Sequence, residues 1–516
     1  MPELIRMHQS ETPASPAHHV KGIDPLVESV IAQCLEKDPK DRPQSALQVA
    51  MALPGGNPLQ IALDAGQTPS PEMVAASPKK GSLRPVIAFS LLAAVFIGFA
   101  FATLTSKYTA LERNVPLDKS ADVLQERGRE IVKKYGYTQI DSHYRFTQEL
   151  GYINHLNKND QSPGRWQHLA IGQPAVIQFW YRTSPNSLAP LAGWRIEQED
   201  PPEVVPGMVR LRLDTKGRLT YFKGVPPRVD EPSGAVGEFD WAGVFKDAGF
   251  YLTAFESVEP QWTPPNAFDE RRAFSGRYPD APEIAIRIEA AAYRGKLVHF
   301  DVIEPWTTPP GQTAAGSQDG AFTPLDVILV GLYFGVLFFS GWLAVRNIRG
   351  GRSDVRGAIR IVLFLFAIRM IIWVFTAHHI GGTQEIDSIV TGLESALYWA
   401  AVPGLMYLAF EPYMRKSAPE RVISWNRLLG GDWRDPLVGR DVLIGAAAAS
   451  VVGSIALLLS LIPSWLSQPS RPPGMNPANL YGIGGFPAIF LQDLSLDLFL
   501  AFILSFLLLF SGLLLR

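Results

Sequence analysis

The stretch PVIAFSLLAAVFIGFAFATL, Pro85–Leu104, decides the fold class. It runs for 20 residues without a charge. At about 1.5 Å per residue, a helix of that length covers roughly 30 Å, the thickness of a bilayer's hydrocarbon core. A secretory leader would lie nearer the first residue and end in a cleavage site, so this segment is read as a retained anchor. Working outward, a second apolar region fills the C-terminal third. It holds candidate spans at Val327–Val345, Ile361–Ala377, Ile389–Phe410, Val442–Ile462 and Ala488–Leu515, which makes six expected crossings with the first.

Composition agrees with this. Of the 516 residues, 47% are hydrophobic and only 19% charged, and the formal net charge is −2. Such a balance leaves no basic excess to neutralise phosphates, so nucleic acid is excluded as a main partner. The single cysteine, Cys34, excludes an internal disulfide framework and a cysteine-rich metal cluster.

Basic residues collect on the cytoplasmic side of a bilayer. Lys79, Lys80 and Arg84 precede the first span, and Arg346, Arg349, Arg352, Arg356 and Arg360 follow the second. Arg415, Lys416, Arg421, Arg427, Arg434 and Arg440 follow the fourth, whereas Ile380–Ser388 has no Lys or Arg and Pro463–Pro487 has only Arg471. The alternation predicts a multi-pass membrane protein with both termini cytoplasmic and residues 105–322 extracytoplasmic, and the lipid bilayer is its first partner.

The first piece, residues 1–53, reads as two short helices. Asp24–Leu35 carries Leu26, Val27, Val30, Ile31 and Leu35 at helical spacing behind an Asp-Pro start, and Ser45–Leu53 repeats the pattern. Two such helices cannot bury a core of their own. The run from Cys34 to Ala46, CLEKDPKDRPQSA, resembles the end of the C-terminal lobe of a bacterial serine/threonine protein kinase. Glu3–His8 with Pro13 and Pro16 fits the preceding helix and loop, and Leu53–Ser77 is similar to the continuation found in membrane-anchored members.

That resemblance implies kinase-fold structural roles for Asp38, Pro39 and Arg42, and a bacterial inner-membrane location. In kinases, the arginine matching Arg42 pairs with the glutamate of an Ala-Pro-Glu motif; Ala418-Pro419-Glu420 here lies in a basic loop between spans and is read as chance. The chain has no Gly-rich loop, strand lysine, His-Arg-Asp loop or Asp-Phe-Gly site, and phosphoryl transfer needs these together. ATP and magnesium are therefore implied only for a full-length kinase, and no catalytic or cofactor-binding residue is assigned in this chain. A truncated or split kinase is preferred to a decayed one.

Residues 54–84 are rich in Pro, Gly and Ser and read as a flexible juxtamembrane linker. Within it Thr68, Ser70 and Ser77 each precede a proline and are candidate phosphosites.

The extracytoplasmic piece gives an amphipathic helix at Asp118–Tyr135, a strand at Val176–Tyr181, and a hairpin in which Met208–Leu213 turns at Asp214-Thr215-Lys216-Gly217 into Arg218–Phe222. A shorter helix at Asp240–Gly249 and a second hairpin, Ile284–Glu289 with Leu297–Ile303, repeat the order. The expectation is an α+β domain of two repeats, each a helix on a small sheet, similar in layout to PepSY or cystatin-like domains. His143, His155, His168 and His299 have no ligand spacing. An extracytoplasmic ligand or protein and a homodimer are candidate partners.

Residues 323–516 read as a five-helix transmembrane bundle. Arg369 falls in mid-span, where a charge demands a partner, and Glu394, Asp493 and Asp497 are the candidate anions of an intramembrane polar cluster. A proton or ligand pathway is the second reading of these residues. A metal site of His378, His379 and Glu385 is the least favoured, so no metal ligand is assigned. The whole is read as the membrane and sensor portion of a receptor-like kinase. The alternatives are an independent polytopic membrane protein, transporter-like or enzymatic, and a scaffold carrying a relic kinase tail.

Overall fold

The structure, a computed structural model, describes residues 13–20, 22–44, 46–54, 58–77, 81–229, 239–308, 323–466, 468, 474–475, 480 and 482–514. Glu3–His8, Lys79 and Lys80 lie outside the described residues. Helix α1 (Pro25–Cys34) is capped by the Asp24 carboxylate, which accepts from the Leu26 N–H at 2.8 Å, and α2 (Ala46–Ala52) follows it. Only Val30 of α1 is buried, and Leu26 and Leu35 are exposed.

The segment expected as a flexible linker instead holds two short helices, α3 (Pro58–Asp64) and α4 (Pro71–Ala75). Val74 of α4 is fully buried against Val422, Ile423 and Leu437, from the far end of the bundle. Two apolar side chains, Val74 and half-buried Leu59, and a few backbone carbonyls are enough to dock such a segment, and composition does not register either.

Among the described residues six helices are long and apolar enough to cross a membrane, so the chain is a multi-pass membrane protein. The first is α5 (Pro85–Thr109). The sheet domain follows, with α6 (Ala121–Lys134), β1 (Asp141–Gln148), α7 (Leu150–Asn159), β2 (Ile177–Ser184), β3 (Val209–Asp214) and β4 (Leu219–Gly224). Its second half holds α8 (Trp241–Asp247), β5 (Glu256–Val258), β6 (Glu270–Arg277), β7 (Ala285–Tyr293) and β8 (Lys296–Ile303). Then come α9 (Pro324–Arg349), α10 (Val355–Thr376), α11 (Thr383–Ser417), the short α12 (Ile423–Gly430), α13 (Pro436–Trp465) and α14 (Gly482–Leu514).

The spans outrun their hydropathic cores because backbone hydrogen bonding continues into polar residues. The 35-residue α11 is the extreme, about 50 Å of helix, and it contains Pro403 and Pro412. Pro412 cannot donate to the Leu408 carbonyl, and a polar side chain from the neighbouring helix takes its place. The Asn347 amide, 1% exposed, donates to the Leu408 and Ala409 carbonyls at 3.2 and 2.8 Å. Helices α9, α10 and α14 pack around α11, while α5 pairs with α13. The α5–α13 approach is close enough that a Cβ on Gly98 would lie 1.9 Å from Ser450 Oγ, the small-residue contact that replaces hydrophobic driving force in lipid.

The two repeats expected of the sheet domain are present in order, but they do not form two sheets. Strands β1–β4 and β5–β8 are each antiparallel meanders, and the last strand of each pairs with the other across Tyr221↔Asp301, Phe222↔Phe300 and Lys223↔His299. One eight-stranded sheet results, in the order β1-β2-β3-β4-β8-β7-β6-β5. The join removes two free edges and lets Phe222 and Phe300 share one core with Leu124 and Ile131 of α6 and Phe245 of α8. The β7–β8 turn needs two positive φ angles, 49° at Arg294 and 71° at Gly295, as a two-residue hairpin requires.

Candidate functional site

The side chains that join the sheet domain to the bundle come from the loop between β2 and β3 and from the start of β1. The loop covers the sheet face that the helices leave open, with Leu188 and Ile196 packed on Trp180, Met208 and Val225. It is pinned electrostatically as well. The Glu203 side chain, 4% exposed, meets Lys223 Nζ at 2.9 Å, Arg210 Nε at 3.0 Å and an Arg182 nitrogen at 3.6 Å. Arg182 also donates to the carbonyls of Glu197, at 2.8 Å, and Pro201. Alternation in β2, β3 and β4 sends these three cations to the same face.

So held, the loop tip reaches the end of α10. The Trp194 indole N–H and the Arg195 guanidinium both donate to Thr376 Oγ1, at 3.2 and 3.0 Å, and Arg195 also donates to Gln492 Oε1 of α14 at 3.1 Å. The His378 backbone N–H donates to the Trp194 carbonyl at 3.1 Å, and its imidazole Nε2 lies 2.9 Å from an Asp141 oxygen on β1. Burial pushes the Asp141 carboxyl up, but hydrogen bonds from His378 and the Leu188 N–H outweigh it and leave the group below its ordinary range. His143 stands edge-on to His378 at 5.2 Å; burial, then the charges of Arg145 and His378, push it down to about 3.

Lower pH is therefore expected to loosen this junction. Unfolded His143 takes its proton near 6.5 and the folded form only near about 3. The stability present above pH 6.5 is then lost progressively as pH falls toward 3, by at most about 1.4 kcal/mol per pH unit. Amide exchange at residues 141–146 and 377–382 should rise over that range, and His143→Phe should flatten the rise. Equal exchange in both proteins at every pH would contradict it.

Apart from the contact of His143 with His378, the histidines singled out in the sequence do not converge. His378 turns to Asp141, and His379 to Glu385 at 2.7 Å and to the Val374 carbonyl, contacts that raise the His379 imidazole above its ordinary value. His155 lies against Trp306, His168 is 3.9 Å from Asp160, and His299 is buried beside Lys223 and pushed down to about 4. No group of three His, Cys, Asp or Glu side chains among the described residues is placed to hold a metal ion.

The interhelical ion pairs anticipated for Arg369 are not formed. Its guanidinium donates to Ser395 Oγ at 3.1 Å and Ser495 Oγ at 3.4 Å, and stacks over Trp399 at 4.5 Å. Glu394, Asp493 and Asp497 are exposed on the outer surface of the bundle. Helical phase explains this. Asp493 and Asp497 lie two residues either side of Ser495, about 200° around α14, so a buried Ser495 sends both carboxylates outward.

At the opposite end of α11, the linker is clamped. Arg415 and Glu411, each 2% exposed, pair at 2.5 Å, and the Arg415 guanidinium also donates to the carbonyls of Pro69 and Arg352. Arg427 donates to the Ala75 carbonyl at 2.9 Å and the Ser77 carbonyl at 2.6 Å, and pairs with Asp435 at 3.0 Å. Of the candidate phosphosites, Ser70 accepts from the Met73 N–H at 3.2 Å, and Thr68 and Ser77 are half-buried beside the clamp. Neither clamp arginine was assigned a role in the sequence, because a basic residue after a span reads only as a sidedness signal.

Near the N-terminus, Asp38 accepts from the Lys40 N–H at 2.9 Å, the Pro39 carbonyl accepts from Gln44 at 2.8 Å, and exposed Arg42 donates to the Glu36 carbonyl at 2.6 Å. These contacts close the turn after α1. Comparison of the chain with protein-family models, with curated proteins and with solved structures finds no match in any of the three.

Proposed function

We propose that the chain is the membrane and sensor portion of a receptor-like bacterial serine/threonine protein kinase, with the sheet domain outside the cell and residues 1–84 inside. The observation that carries the sensor reading is that one helical hairpin is bonded at both ends. The turn after α10 holds the sheet domain through Thr376 and His378, and the far end of α11 holds the linker through Arg415. An event on the sheet domain then has a packed, continuous route to the segment that follows the kinase-like helices. The kinase part rests on the Asp38-Pro39-Lys40-Asp41-Arg42-Pro43 motif, and exposed Leu26 on α1 and Leu35 at its C-terminal cap suit a helix completed by an upstream lobe.

The test is a thiol placed at Ser77 in a Cys34→Ser background. Breaking the sheet-side junction with Trp194→Ala and Asp141→Ala together should change the labelling rate of that thiol several-fold. An unchanged rate, with the linker still docked, removes the transducing reading. Genomic sequence upstream of Met1 that encodes no Gly-rich loop or His-Arg-Asp in frame removes the kinase and favours an independent polytopic protein.

A further inference from the structure

We infer that the seam where α10, α11 and α14 meet the β2–β3 loop binds a phosphate-type oxyanion between Arg195 and Arg369. The two guanidinia reach α14 from different parts of the chain, one from the β2–β3 loop and one from inside α10. Two turns of α10 separate Arg369 from Thr376, the acceptor of Arg195. On α14, Gln492 accepts from Arg195 and Ser495, one turn deeper, accepts from Arg369. Both charges are therefore brought to the same side of α10 and α14.

Each cation is met only by neutral oxygens. Among the described residues neither forms an ion pair, and Arg195 Nε is buried without a hydrogen-bond partner. Burial, then the nearby charge of Arg145, makes the Arg195 proton easier to lose than an ordinary arginine's, although Glu197 partly offsets this. The chain does not supply the missing anion from within the bundle, because Glu394, Asp493 and Asp497 point away. Both arginines are only half-buried and Gln492 is exposed, so an incoming group can reach them.

The chemistry of the seam selects the ligand. A guanidinium is a planar fork that matches phosphate or carboxylate oxygens. Two forks brought in from separate elements can share a tetrahedral oxyanion, which has more acceptor oxygens than a carboxylate. Trp194 and Trp399 flank the site, and indoles favour the level where lipid headgroups sit. A phospholipid headgroup and free phosphate offer the same group, and the experiment separates them.

Full-length protein, delipidated in detergent, would be titrated with inorganic phosphate. The same protein would be reconstituted in nanodiscs of phosphatidylglycerol or of an uncharged glycolipid and examined for retained lipid by native mass spectrometry. One phosphatidylglycerol per chain, weakened about tenfold or more by Arg195→Gln and again by Arg369→Gln, is the expected result for a lipid ligand. Saturable phosphate binding in detergent with the same losses identifies a soluble ligand. No binding in either arm, or binding that both variants leave intact, overturns the inference. Should Arg369→Gln fail to fold, Arg195→Gln, on an exterior loop, decides alone.

Discussion

Glu203→Gln is expected to free the β2–β3 loop from the sheet and, with it, the sheet domain from the bundle. The substitution keeps the size of the side chain and removes its charge. Arg182 (1% exposed), Arg210 (9%) and Lys223 (17%) then face one another across β2, β3 and β4 with no anion between them. Removing one member of a buried ionic group costs about 3–5 kcal/mol, because the partners left behind remain desolvated. The loop can avoid that cost by lifting off and letting water reach the arginines. Its tip carries Trp194 and Arg195, so lifting it breaks the contacts to Thr376 and Gln492 as well.

Amide exchange over residues 186–207 of the full chain, and proteolysis within that segment, should both rise sharply, and the thermal transition should fall. Glu199→Gln is the control. Glu199 also touches Arg210, at 3.3 Å, but its side chain is 85% exposed, and such pairs contribute about 0–1 kcal/mol. If the two variants behave alike, the loop is held by Leu188 and Ile196 rather than by charge.

The features legible in the sequence were those a run of residues carries by itself. A charge-free segment such as Pro85–Leu104 has no comfortable place in water, so its fate can be read without knowing its neighbours. Strict alternation in Val209–Leu213 likewise announces a strand, although the polar face it suggests is covered by the β2–β3 loop and Arg210 is buried there. By contrast, β1 reads DSHYRFTQ, with Tyr144 and Phe146 as its apolar markers, and it shows itself only once Phe146 meets Phe179 across the ladder. The fusion of the two repeats was hidden for a similar reason. Nothing in Tyr221–Lys223 alone distinguishes a free edge from a seam.

The site was harder still, because its residues act through phase and distance. Arg369 announced a need for an anion, and the nearest carboxylates in the sequence were the natural candidates. Rotation about α14 settles the matter the other way, turning Ser495 in and Asp493 and Asp497 out. Thr376 and Gln492 carry no signal at all until the loop from β2 arrives. Local sequence can therefore rank which groups are in need, but the fold decides who answers.

Arg415→Ala is expected to undock the linker from the far end of the bundle. The side chain is the hub of that face, since it pairs with Glu411 in its own helix and binds the carbonyls of Pro69, in the linker, and Arg352, before α10. Truncation leaves the Glu411 carboxylate 2% exposed without its cation, a loss of about 3–5 kcal/mol. The backbone of the linker loses one of its two clamps. Arg427 still holds the Ala75 and Ser77 carbonyls, and Val74 keeps its apolar contacts, so residues 58–71 should detach while residues 74–77 stay. Cleavage by a protease added to the linker side should then appear between Leu59 and Pro71, and a thiol at Thr68 should label faster while one at Ser77 does not. The double variant Arg415→Ala, Glu411→Ala removes the stranded carboxylate, which separates the two effects. It should recover most of the thermal stability while leaving the linker free. If stability and docking return together, the linker was never held by Arg415, and its hold must lie with Arg427 and the apolar contacts of Val74.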